Sequence, residues 1–267
     1  MFYELNHVGI VVRDLDASLD FYRGVLGAEV VFRSVIPATS TDVVYLQIHR
    51  GLIELLHQAE PPVDETFGVT HVAFLTDRLD EDFARVVTAG CTPLVPPRIA
   101  GTGVGRLAFV GDPNGTRVEL LERDLPMRRE PVPHPVVRSF DHYSIAAPDL
   151  AAAGDFYRDQ LGLQRLGSLR QEGGDLRLDY LHHGYDVLEL RHSSAAASEP
   201  AFHHIAFRVD DAAEAVAALS ERGARVSTPA QPAAAGPGRV AAIADPDGVR
   251  IVLVEVPADH PLRRDPR

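Results

Sequence analysis

Four histidines open four similar segments of the chain: His7, His71, His142 and His204. At 47 or 48 residues after each, aligned positions hold Glu54, Glu119, Glu189 and Val252. Taken singly, a histidine at a strand start is ordinarily a hydrogen-bonded core or edge residue, and a glutamate in an alternating strand faces water. Solvation gives no reason for the same pair to recur at a fixed spacing in three segments of four. Imidazole nitrogens combined with carboxylate oxygens form a hard-to-borderline donor set that suits Fe, Mn, Co, Ni or Zn. Metal ligation by these pairs is therefore the chemistry the pattern favours.

The segments that must position these residues are internal repeats. NHVGIVVRDLDASLDFYRGVLG (6–27) aligns without a gap with DHYSIAAPDLAAAGDFYRDQLG (141–162), and THVAFLTDRLDEDFARVVTAG (70–90) with HHIAFRVDDAAEAVAALSERG (203–223). In the first, HVGIVV reads as a strand. Asp14 or Asp16 can cap the helix that follows, which carries Leu15, Leu19, Tyr22 and Leu26 as one apolar stripe, and Gly27 suits its C-terminal end. AEVVFRSVI, TDVVYLQIH and GLIELLH then read as three strands. The unit is βαβββ. The fold class is α+β, with four such modules at 4–58, 69–122, 140–192 and 202–256. They group as a first domain (1–122) and a second (140–256), because the segment 123–139 holds four prolines and clustered charge. Residues 257–267 read as a frayed tail. DPNG (112–115) and DPDG (245–248) are tight turns, and GTGVG (101–105) is a hairpin rather than a phosphate cradle, since no helix follows it. The Phe21–Tyr22 and Phe156–Tyr157 pairs lie on helices and read as packing.

Composition narrows the partners. The 267 residues carry a net charge of −12, which argues against nucleic acid or an anionic membrane surface. All 26 basic residues are arginine, so no Schiff-base or phosphate-loop lysine exists. The single cysteine, Cys91, fits a reducing cytoplasm, and the N-terminus lacks the features of a signal peptide. A small-molecule substrate is the expected partner.

Four βαβββ modules with these histidines and glutamates resemble the vicinal oxygen chelate superfamily, which contains glyoxalase I, methylmalonyl-CoA epimerase, extradiol dioxygenases and the bleomycin-resistance proteins. The resemblance covers residues 4–256. It implies paired modules curling two open, cleft-forming sheets around metal sites, with ligands on the first and last strands of both modules. Carried over, it makes His7, Glu54, His71 and Glu119 a complete ligand set, and His142, Glu189 and His204 a second, weaker set that lacks a donor at Val252. The expected cofactor is one divalent metal. Adjacent modules are the expected partners, although some fused members pair the first with the last, which would assemble His71, Glu119, His142 and Glu189 instead. Edge strands in that fold pair between chains, so a homodimer is an open expectation.

A divalent ion with open positions chelates two neighbouring substrate oxygens and acidifies an adjacent C–H, and a glutamate at its edge can move the proton. Glu54 and Glu119, related by pseudo-twofold symmetry, are the expected catalytic bases for a lyase or isomerase of glyoxalase or epimerase type. The substrate would be a hydroxy-carbonyl, a dicarbonyl or an acyl-thioester. Tyr45 and Gln47, on one strand face, are candidate substrate contacts. An Fe(II)-dependent extradiol-like dioxygenase is the first alternative, but Phe109 and Ala242 stand where its tyrosine is required. Glutathione-binding positions of glyoxalase I correspond to Val11 and Gln58. A non-catalytic drug-binding protein is the second alternative, against which the retained donors count.

Overall fold

The computed structural model describes residues 1–125, 127–260 and 262. The first sheet contains β1 (Phe2–Val11), β2 (Glu29–Ile36), β3 (Thr41–Ile48), β4 (Gly51–Gln58), β5 (Gly68–Thr76), β6 (Thr92–Ile99), β7 (Arg106–Gly111) and β8 (Arg117–Glu122). Their spatial order is β2-β3-β4-β1-β5-β8-β7-β6, so the first two modules share one sheet through the antiparallel β1–β5 pair. The second sheet repeats this order with β9 (Ser139–Ala146), β10 (Gln164–Arg170), β11 (Arg177–His183), β12 (Asp186–His192), β13 (Phe202–Val209), β14 (Arg225–Pro232), β15 (Arg239–Ala244) and β16 (Arg250–Glu255). Neighbouring modules are paired, and the first-with-last arrangement is absent. The edge strands β6 and β14 both contain prolines, which have no N–H to offer a ladder.

Period-two alternation divides each sheet into two faces. On β1, Val8 and Ile10 enter the apolar core, where Phe21, Tyr22, Leu79 and Val86 from the helices also lie. His7 and Gly9 occupy the alternate positions and face the cleft. Core residues from both sheets belong to one continuous cluster, so the two sheets are joined through their helix-covered faces.

The helix of the first module starts as an α-helix, α1 (Leu15–Leu19), with the Asp14 carboxylate accepting from the Ala17 N–H at 3.0 Å. It then widens into a π-helix over Asp20–Val25 before Gly27 (φ +67°) ends it. Its counterpart α2 (Leu150–Asp155) widens over Phe156–Gln160. The 3.6-residue stripe did not foretell this wide turn, which seats Tyr22 and Tyr157 completely out of solvent. Their hydroxyls cross between the sheets. Tyr22 donates to Asp245 of the second sheet's turn at 2.9 Å, and Tyr157 donates to Asp112 of the first sheet's turn at 3.0 Å. These aromatics thus pack and also tie the halves together. Removing the hydroxyl in Tyr157→Phe leaves a buried Asp112 oxygen unpaired, with an expected loss of about 1–3 kcal/mol. Urea unfolding would register it; an unchanged midpoint would show that the bond contributes nothing.

The proline-rich connection does not run free between the sheets. Met127 is buried against Val43, Tyr45 and Leu52. Arg128 donates to the Leu5 and Asn6 carbonyls at 3.0 Å and to Asp186 of β12 at 2.8 Å, clamping one sheet to the other. Of the predicted frayed tail, residue 261 and residues 263–267 lie outside the described residues. Leu262 packs on the second sheet's small apolar cluster.

Candidate metal centre

At the middle of the first sheet, β4, β1, β5 and β8 lie side by side, and each contributes one donor from the cleft face. All four side chains, Glu54, His7, His71 and Glu119, are buried. His7 Nε2 lies 3.5 Å from Glu54 Oε2 and 3.3 Å from Glu119 Oε2. His71 Nε2 lies 3.4 Å from each of the same oxygens. Metal bonds of about 2.0–2.2 Å to N and O donors place neighbouring donors roughly 3–3.5 Å apart, which is the spacing found. His7 Nε2, His71 Nε2 and Glu119 Oε2 are buried with no hydrogen-bond partner among the described residues. Three orphaned donors aimed at one point are what a divalent cation would satisfy, and the residues fit one.

The register explains the convergence. Gly9 sits beside both Glu54 and His71, and Ala73 beside both His7 and Glu119. These small residues, two positions after each histidine, leave the space into which the donors lean. At Gly9 the requirement is strict, since a Cβ there would lie 1.9 Å from His71 Cε1. The ring orientations are set from behind. His7 Nδ1 bonds Asn6 Oδ1 at 2.9 Å, and His71 Nδ1 bonds Thr70 Oγ1 at 3.1 Å. Arg123 braces Asn6 Oδ1 at 2.7 Å and reaches the Tyr45 hydroxyl at 3.2 Å.

Asn6, Gly9, Thr70 and Arg123 escaped the sequence reading. The signal for three of them was present: a polar residue precedes each of the four histidines (Asn6, Thr70, Asp141, His203), and a small residue follows two positions later (Gly9, Ala73, Ser144, Ala206).

The electrostatics favour a cation. Burial alone would raise both carboxylates, but the close approach of His7 and His71 holds Glu54 far below the usual carboxylate range and Glu119 at about 2. Burial would likewise lower His71, yet Glu119 and Glu54 raise it to about 9. Two ionised carboxylates therefore share a dry site.

Tyr45 packs edge-on to His7 at 5.0 Å and lines a cavity of about 60 Å³ together with Glu54, Glu119, Leu107, Arg123 and Met127. Gln47 serves elsewhere. Its amide donates to the Arg129 carbonyl at 2.8 Å and accepts from the Arg129 N–H at 2.7 Å, fastening the connection to β3.

The second sheet brings together His142, His204 and Glu189 but satisfies them internally. His142 Nε2 meets His204 Nε2 at 3.0 Å. One Glu189 oxygen accepts from Ser144 at 2.6 Å and the other from Tyr180. Ser144 stands where the first sheet has Gly9, and Val252 pairs with Ala206 where Glu119 pairs with Ala73. No nitrogen or oxygen of this set is orphaned.

The sequence profile of the Glyoxalase/Bleomycin resistance protein/Dioxygenase superfamily matches residues 4–120 and 139–253. Lactoylglutathione lyase GLX1 of Arabidopsis thaliana is 26% identical, over 93% of this chain and 90% of its own length. The lactoylglutathione lyase of Escherichia coli O157:H7 is 31% identical over 43% of this chain and 90% of its own. Among solved structures, the Mn(II)-bound glyoxalase from Novosphingobium aromaticivorans superposes with a TM-score of 0.67 at 19% identity, covering 96% of this chain and 83% of that one. With four modules in two eight-stranded sheets and a buried His₂Glu₂ donor set, the chain belongs to the Glyoxalase/Bleomycin resistance protein/Dioxygenase superfamily and is a metal-dependent enzyme.

Proposed function

We propose that the first sheet carries the active site, and that it catalyses proton transfer of the glyoxalase or epimerase type on a small substrate with two neighbouring oxygens. The observation that carries this reading is the His7–Glu54–His71–Glu119 cluster, in which each carboxylate approaches both imidazoles within 3.3–3.5 Å. A divalent ion held by these four would supply Lewis-acid polarisation of the substrate oxygens, making the adjacent C–H acidic. Glu54 and Glu119 reach the centre from opposite ends of the strand set, so one can remove a proton and the other return it on the opposite side. Their depressed basicity suits a proton that has been acidified first. Tyr45, held by Arg123, forms the cavity wall beside Glu54.

The cavity of about 60 Å³ admits the reacting end of a hydroxy-carbonyl, dicarbonyl or acyl-thioester and leaves the remainder outside. The relatives' name, lactoylglutathione lyase, suggests a glutathione adduct, but Val11 does not supply the charge that such an adduct would use, and the Gln58 amide donates to the Thr39 carbonyl at 3.1 Å. Among the described residues no helix is long and apolar enough to cross a membrane. A homodimer joined by edge strands remains part of this proposal.

The test is to add candidate substrates in deuterated water to metal-loaded protein while recording oxygen. Deuterium uptake at the carbon next to the carbonyl, with oxygen unchanged, is the expected result. Oxygen consumption without exchange would replace the proton-transfer reading with the dioxygenase.

A further inference from the structure

The larger opening is not at the complete donor set. A cavity of about 400 Å³, within the usual range for small-molecule pockets, lies in the cleft of the second sheet. One substitution between the repeats removes a large side chain from the cleft. In the first sheet the Phe109 ring packs against His71 at 5.4 Å, and Arg117 stacks on it at 3.9 Å. The aligned residues in the second sheet are Ala242 and Arg250, so the arginine persists and its aromatic seat is gone.

The charged groups that line this cavity leave guanidinium nitrogens without hydrogen-bond partners. Of its acids, Glu189 is engaged by Ser144 and Tyr180, Asp141 by His142 and Arg208, and Glu255 by the Ala212 N–H, while Asp186 meets Arg128 through one oxygen and buries the other without a partner. Arg250 lines the cavity, forms no ion pair among the described residues, and buries its Nε without a hydrogen-bond partner. Burial and the neighbouring Arg191 both disfavour its charge. Arg191 also lines the cavity, and its Nε lies 3.4 Å from Glu199 Oε2 as an ion pair without a hydrogen bond. Part of the lining is apolar, formed by Leu166, Leu169, Leu176 and Leu178, the last beside Arg191 in the strand register. A guanidinium pair with leucines beside it calls for an anion on an apolar body.

We propose that the second sheet's cleft is a separate, metal-independent binding site for a small organic carboxylate, with its charge on Arg250 and Arg191 and its hydrocarbon part against the four leucines. The site is independent of the proton-transfer reading, because it shares no residue with the first cleft.

Isothermal titration of the full-length, metal-loaded protein with phenylacetate, 4-phenylbutyrate and hexanoate tests this, with the corresponding amides and inorganic phosphate as controls. At least one carboxylate is expected to bind once per chain, with its amide and phosphate weaker by about tenfold or more. Arg250→Gln should weaken it by a similar factor. Ala242→Phe should abolish it by restoring the ring that fills the first cleft. Glu119→Ala, which disables only the first sheet, should bind as wild type does. Binding equal for acid and amide, binding unchanged in Arg250→Gln, or no heat from any of the three acids at millimolar concentration overturns the proposal. Loss of binding in Glu119→Ala would move the ligand to the first cleft and overturn it equally.

Discussion

Glu119→Ala protein is expected to purify with less than about a tenth of the wild-type metal, while Glu189→Ala keeps the full complement. Losing an outer partner of a ligand already costs about 10–100-fold in metal affinity, and losing a ligand costs more. Glu119 supplies an orphaned Oε2 within 3.3–3.4 Å of both imidazole nitrogens, so nothing nearby can replace it. Glu189 instead spends its oxygens on Ser144 and Tyr180. The readout is elemental analysis of metal per chain after anaerobic purification, with unfolding curves to show that both variants are folded. About one metal in wild type, lost only in Glu119→Ala, places the centre in the first sheet. Loss only in Glu189→Ala would move it to the second, and iron found there would favour oxygen chemistry.

Val252→Glu combined with Ser144→Gly should create a second metal site at the cost of the metal-free fold. Val252 holds the register position of Glu119 beside a small residue, and Ser144 holds that of Gly9. The double substitution restores the missing carboxylate and releases Glu189 from its serine. Without metal, the new glutamate lies beside Glu189 as an uncompensated buried charge, and the chain should lose about 3–5 kcal/mol. Metal at about 100 times its dissociation constant should return about 2.7 kcal/mol. Urea unfolding with chelator and with Mn(II), beside a metal count, checks this. A count that stays at one, with the same instability in both conditions, would show that the second cleft cannot be converted by these positions.

The fold and the four central donors were legible because they are repeated. His7, His71, His142 and His204 recur with strands and helices in fixed order, so each copy tested the reading of the others. Pairing of adjacent modules followed from the proline-rich break at 123–139. What was not legible depends on side chains distant in sequence that meet only in the folded chain. Gln47 shares a face with Tyr45, but whether it faces substrate is decided by Arg129, 82 residues on. The small first cleft depends on Met127 from the connection, and the wide second one on Ala242 where its repeat has Phe109. The wide π turns were hidden because a helical stripe records which side is apolar, not how many residues complete a turn. Gly9 and Ser144 could have been compared, since they are aligned, but one looks innocuous until a ring is seen to need its place.

The reciprocal bonds between Tyr22 and Asp245 and between Tyr157 and Asp112 have a further consequence. Position i of one half meets position j of the other, and j meets i, which is the defining property of an isologous dimer contact. The two halves therefore meet as two separate polypeptides would, with the connection adding the Arg128 clamp to that symmetric contact. That surface is now consumed within a single chain, so any self-association of the whole protein must recruit a different face.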